Sequence, residues 1–117
     1  MDLLAYNNVR FVFTQNLTSF SAVYNLTTAR HRVQFRPTPN SPVVLYEFDS
    51  AGSETHPGSA LTYSAAAKTL QWTGPTADFA VFTGVLYWDS GFYLASAPTE
   101  FIRTDGGIIT FKQGVTR

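Results

Sequence analysis

A chain of 117 residues with eight basic and eight acidic side chains, two histidines and no cysteine has the size of one domain and no disulfide framework. Its charged fraction, 14%, is well below the usual quarter, and a net charge of zero leaves no electrostatic footprint for nucleic acid or an anionic membrane. Aromatic residues make up 15% of the chain, ten of them Phe and six Tyr, a balance expected where a partner covers part of the surface.

The first residues, Met1 to Asn8, lack the basic region and apolar core of a signal peptide. No apolar run approaches the roughly 20 residues that span a bilayer. The chain is therefore expected to be made and folded in the cytoplasm. Val9 to Thr14 reads as a strand, with Phe11 and Phe13 on one face and Arg10 and Val12 on the other. Asn16-Leu17-Thr18 and Asn25-Leu26-Thr27 match the glycosylation sequon. Without a signal peptide they are read as turns held by Asn and Thr side chains.

Ala29 to Arg36 alternates cleanly. His31, Val33 and Phe35 share one face, and Arg30, Arg32, Gln34 and Arg36 share the other, as in a strand with one wet side. Those arginines suit either an anion clamp or a solvated face. Pro37, Pro39 and Pro42 mark a loop. Val43 to Asp49 is apolar at nearly every position, so both faces of this strand are expected to be covered. Ser50 to Ser59 reads as a polar loop and Ala60 to Tyr63 as a short strand. Ser64 to Lys68 has the propensity for one helical turn.

Lys68 to Thr73 alternates again, with Leu70 and Trp72 inward. Thr76 to Phe82, after Pro75, reads as one helical turn crossing between sheets. Gly84 to Leu94 and Thr99 to Phe111 form the predicted central antiparallel pair. Leu86 and Trp88 point inward there, Val85, Tyr87 and Asp89 outward. Asp105-Gly106-Gly107 is expected to bulge the second strand rather than end it. About seven short strands and no helix beyond a turn or two predict an all-β, immunoglobulin-like antiparallel β-sandwich as one domain over residues 1–117, with a small β-barrel as the alternative.

Catalysis is not expected. His31 and His56 lie in different contexts, and no nucleophile motif is present. Glu47, Asp49 and Glu54 are the nearest approach to an acid–base pair. Asp89 lacks companion carboxylates at coordination spacing, so neither metal nor cofactor is expected, nor a small-molecule ligand. Trp72, Trp88, Tyr87 and Tyr93 would suit a sugar-binding face if exposed, but the inward phase of both Trp residues favours the core. The leading expectation is assembly. The doubly apolar Val43–Phe48 and the outward side of Gly84–Leu94 supply a candidate interface of Val44, Tyr46, Phe48, Val85 and Tyr87. Replacing Tyr46 or Tyr87 with Asp is expected to block assembly and leave the monomer folded.

Three pieces carry a family resemblance. They are Tyr24-Asn25-Leu26-Thr27 leading into Arg32-Val33-Gln34-Phe35-Arg36-Pro37; Pro75 to Gly84 followed by Leu86-Tyr87-Trp88-Asp89; and Gly107, Ile109 and Phe111 ending in Gly114-Val115-Thr116-Arg117. In that order they resemble a class of small bacteriophage and prophage proteins with an immunoglobulin-like β-sandwich. The class shares a "D-L-T" segment, a "G-x-Y-x-Y-D" strand and a closing "V-T-R". The likeness runs from Tyr24 to the end. It departs at Asn25, which stands for the Asp, and at Leu86 and Trp88, which stand for the two Tyr residues. The resemblance implies a virion component, of the tail, baseplate or fibre attachment, or alternatively a head decoration or spike. Its implied partners are other virion proteins and further copies of itself.

Overall fold

The computed structural model describes residues 1–113; the closing Gly114–Arg117, with the Val-Thr-Arg ending, lies outside the described residues. Eight strands form among them: β1 (Leu3–Tyr6), β2 (Phe11–Asn16), β3 (Arg30–Arg36), β4 (Tyr46–Asp49), β5 (Ala60–Ser64), β6 (Thr69–Gly74), β7 (Gly84–Leu94) and β8 (Ala97–Lys112). Two single helical turns, α1 (Thr18–Ser21) and α2 (Thr76–Phe79), complete the set. The larger sheet has the order β1-β8-β7-β3-β4 and the smaller β2-β6-β5. Strands β2, β6 and β5 take the places of B, E and D of an immunoglobulin sandwich, and β8, β7, β3 and β4 those of G, F, C and C′. The fold is thus the expected all-β sandwich of two sheets. It has one more strand than expected, because β1 adds to β8 in parallel.

Alternation decides which side chains enter the space between the sheets. Phe11 of β2, Val33 and Phe35 of β3, Leu70 and Trp72 of β6, Leu86 and Trp88 of β7, and Ile109 and Phe111 of β8 are all buried. Their rings interlock: Phe11 stacks on Phe79 at 4.9 Å between centroids, and Trp72 meets Trp88 edge-on at 5.1 Å. Burying each such ring stabilises the fold by about 2–3 kcal/mol. α2 carries the chain from β6 to β7 and plugs one end of the core with Phe79. Gly74 makes room for it, since a β-carbon there would lie 2.4 Å from the Phe79 ring.

Three expectations are corrected. The strand expected over Val43–Asp49 is β4, only Tyr46–Asp49. The three prolines upstream leave Val43 exposed, and ladder pairing begins only when the Leu45 N–H donates to the Phe35 carbonyl at 2.7 Å. Ser64–Lys68 is a hairpin turn rather than helix, closed by Lys68 in the left-handed region at φ 58°. The bulge in the last strand precedes the glycines. Ser90 pairs with Asp105 and Gly91 with Arg103, so Thr104 is the extra residue. The sequon asparagines do act as turn residues: Thr18 N–H donates to Asn16 Oδ1 at 2.8 Å, and Thr27 N–H to Asn25 Oδ1 at 3.3 Å.

Candidate assembly surface

The outward face of the larger sheet divides into two halves. On the β1–β8–β7 side the register sets Leu4 beside Thr110, Thr110 beside Val85, and Ile108 beside Tyr87. Tyr6 extends the row, opposite Lys112. Leu4 is 55% exposed, Val85 49% and Tyr6 43%, while Tyr87 and Ile108 are half-buried. Leu4, Tyr6, Val85, Tyr87 and Ile108 form a largely apolar strip, interrupted by Thr110 and Lys112 on the middle strand, with Pro39 of the loop after β3 near Tyr87.

The β3–β4 half is polar, and its charges are matched from within. Arg30 grips Asp49 through Nε at 3.0 and 3.2 Å and through a terminal nitrogen at 2.5 Å. Burial alone would raise the Asp49 carboxyl, but this guanidinium and the Ala51 N–H outweigh it and hold the group below the usual carboxylate range. Gln34 donates to Glu47 at 2.7 Å. Arg36 donates to the Ser41 carbonyl at 3.0 Å, to Gln34, and weakly to Asp89 at 3.4 Å. The Arg32 guanidinium lies 5.3 Å from the Tyr93 centroid and 5.0 Å from that of Phe101, a cation over two rings. The row of arginines is thus a clamp turned on the protein's own carboxylates and rings.

Of the five residues expected at the interface, Val85 and Tyr87 stand in the apolar strip. Val44 is half-buried in the segment before β4. Tyr46 and Phe48 are not at the surface; both are fully buried. They alternate on the inward face of β4, and the outward face carries Glu47 and Asp49. Tyr46 packs against His56 at 4.1 Å and Phe79 at 4.5 Å, and its hydroxyl donates to Asp78 Oδ2 at 2.6 Å. Burial first, then the Asp78 carboxylate, raise this phenol well above its ordinary value. The monomer's own core therefore hides the part of β4 that seemed to need a partner. Leu4, Tyr6 and Ile108 were missed. Leu3-Leu4-Ala5-Tyr6 alternates in burial but not in residue type, and four residues are a weak strand signal.

The other candidate residues are engaged within the chain. Trp72 and Trp88 are both buried, and Trp88 Nε1 donates to the Met1 carbonyl at 3.1 Å. With Tyr93 under Arg32, Tyr87 is the remaining ring of the four considered for a sugar face. Asp49 is tied to Arg30, and Glu47 to Gln34. His31 is buried and donates from Nε2 to the Leu26 carbonyl at 3.0 Å. Among the described residues no three His, Cys, Asp or Glu side chains gather as metal ligands would, and no helix is long and apolar enough to cross a membrane. No protein-family profile matches the chain, and no curated protein sequence matches it.

Proposed function

We propose that the chain is a structural component of a bacteriophage virion, belonging to the tail, baseplate or fibre attachment, in which other virion proteins and further copies of the chain dock on this domain. The observation that carries this reading is the apolar strip of Leu4, Tyr6, Val85, Tyr87 and Ile108. It lies on an outward sheet face beside a polar half whose charges are mostly engaged within the chain, the pattern of an apolar interface core with a polar rim. The three segments that resemble phage proteins give the partner class.

Co-expression with the products of flanking genes tests the reading. The wild-type chain should co-purify with at least one of them. Val85→Asp places a charge on the β7 side of the strip and should abolish that binding, while the thermal melt stays as in wild type. Partners that bind the variant and the wild type equally would remove the strip from assembly. Flanking genes of a metabolic operon would remove the virion.

A further inference from the structure

We propose that the open edge of β2 pairs, antiparallel and across a two-fold axis, with β2 of a second copy, joining the two smaller sheets into one of six strands. The inference deepens the reading above, on which it rests only in that self-association was already part of it.

An unpaired edge is a liability that sandwiches commonly blunt. The β4 edge is blunted here: Glu47 N–H donates to His56 Nδ1 at 3.3 Å, and Ser59 Oγ donates to the Glu47 carbonyl at 3.0 Å. The β2 edge is different. Among the described residues, strand β2 pairs with β6 alone, and β1 with β8 alone. The two free edges border one hollow of about 330 Å³ whose apolar walls include Leu3, Phe11 and Phe13. Phe11–Asn16 contains no proline and no charged residue, and its register with β6 is unbroken, so proline, charge and bulge do not protect this edge. Val12 is 55% exposed at this edge. Its neighbours across the outward face of the smaller sheet are Thr73 and then Ala60, followed by Thr14, Gln71 and Thr62. A large apolar side chain thus sits at the rim of a face otherwise made of small or polar ones.

Charge and register select a second copy as the occupant. An antiparallel pair centred on Val12 sets Val12 against its own copy, Phe11 against Phe13, and Arg10 against Thr14. The one charge near the strand never meets itself, and like charges opposite one another are what destabilise such pairs. The contact is isologous, so it closes at two chains.

Sedimentation equilibrium of the full chain over a concentration series tests this. Wild type should move from the mass of one chain to that of two. Val12→Lys and Val12→Glu should each weaken that association roughly 100-fold by setting like charges together. An equimolar mixture of the two variants should restore the two-chain mass, which no misfolded pair could do. A one-chain mass for wild type at every concentration overturns the dimer, as does undiminished association of both variants or a mixture that fails to restore it. If the dimer fails while Val85→Asp still abolishes partner binding, the virion reading stands without it. If the dimer holds and the outward strip binds nothing, the dimer stands alone.

Discussion

Gln15 on β2 donates from Nε2 to Ser90 Oγ on β7 at 2.9 Å, across the interior from one sheet to the other. In antibody domains the strands in these two places are joined by a disulfide; here a buried polar contact joins them. The bulge at Thr104 completes it by turning that hydroxyl inward, 2.8 Å from Ser90 Oγ. The group is imperfectly satisfied, because Gln15 Oε1 is buried with no hydrogen-bond partner among the described residues.

That imbalance sets the first prediction. Gln15→Met removes an orphaned carbonyl along with the bond, and Ser90 keeps Thr104. Stability should stay within about 1 kcal/mol of wild type or improve. Ser90→Ala leaves the Gln15 amide with only the long 3.4 Å contact to Thr104 and should cost about 1–2 kcal/mol. Urea denaturation of both variants decides it. A larger loss from Gln15→Met than from Ser90→Ala would make the inter-sheet bond a principal brace of the fold.

A second prediction reverses an expectation drawn from composition. Tyr46→Asp was expected to spare the monomer, but Tyr46 is fully buried between His56 and Phe79 with Asp78 at its hydroxyl. The substitution puts a carboxylate beside a carboxylate in the core and should leave little folded protein. Tyr46→Phe removes only the hydroxyl, and half-exposed Asp78 can turn to water, so about 1 kcal/mol is expected. Tyr87→Asp, in the outward strip, should melt close to wild type. Circular dichroism melts of the three variants separate core from surface, and a cooperative wild-type-like melt of Tyr46→Asp would contradict the burial.

These cases show what the residue pattern could and could not carry. Strands β3 and β6 were legible because polar and apolar residues alternate along them, as were the outward positions of Val85 and Tyr87. Strand β4 misled because Val43, Val44 and Leu45 precede it. Added to Tyr46 and Phe48 they looked like a strand greasy on both sides, although its own residues alternate. Strand β1 is held in place by Trp88 donating to Met1 and by the parallel ladder with β8, partners more than 80 residues distant in sequence. Thr104 has no local mark of a bulge, and the two glycines just after it drew the assignment. In each case the deciding contact is tertiary.

Stability should depend on pH in two windows. Burial holds the His31 imidazole below its ordinary value, and the bond to Leu26 opposes this only in part. The unfolded chain therefore takes up a proton more readily than the folded one. Stability present above about pH 6.5 should be lost progressively as pH falls below it. Asp49, depressed in the fold by Arg30, adds a second loss as pH falls below about 4. His31→Gln keeps a donor toward Leu26 without the titration and should flatten the first window alone. Melting temperatures from pH 8 to pH 3, in steps of about one unit, give the comparison. An unchanged slope near pH 6 in the variant would place the effect elsewhere.

The last prediction tests the register on which the outward face depends. Gly91 of β7 is buried opposite Arg103, at the step where the pairing with β8 shifts. A β-carbon there would lie 2.4 Å from the Ile102 carbonyl oxygen and 2.4 Å from the Phe101 ring. The ring could swing aside, but the carbonyl belongs to the ladder and could not. Gly91→Ala should therefore cost about 1–3 kcal/mol. Moving Phe101 also removes one of the two rings beneath Arg32, so Gly91→Ala and Arg32→Ala should combine to less than the sum of their separate losses. Adding Phe101→Ala should recover only part of the loss, because the backbone clash remains. If Gly91→Ala were neutral in urea denaturation, the shift between Ser90 and Gly91 would be misplaced, and with it the inward turn of Thr104 toward Gln15.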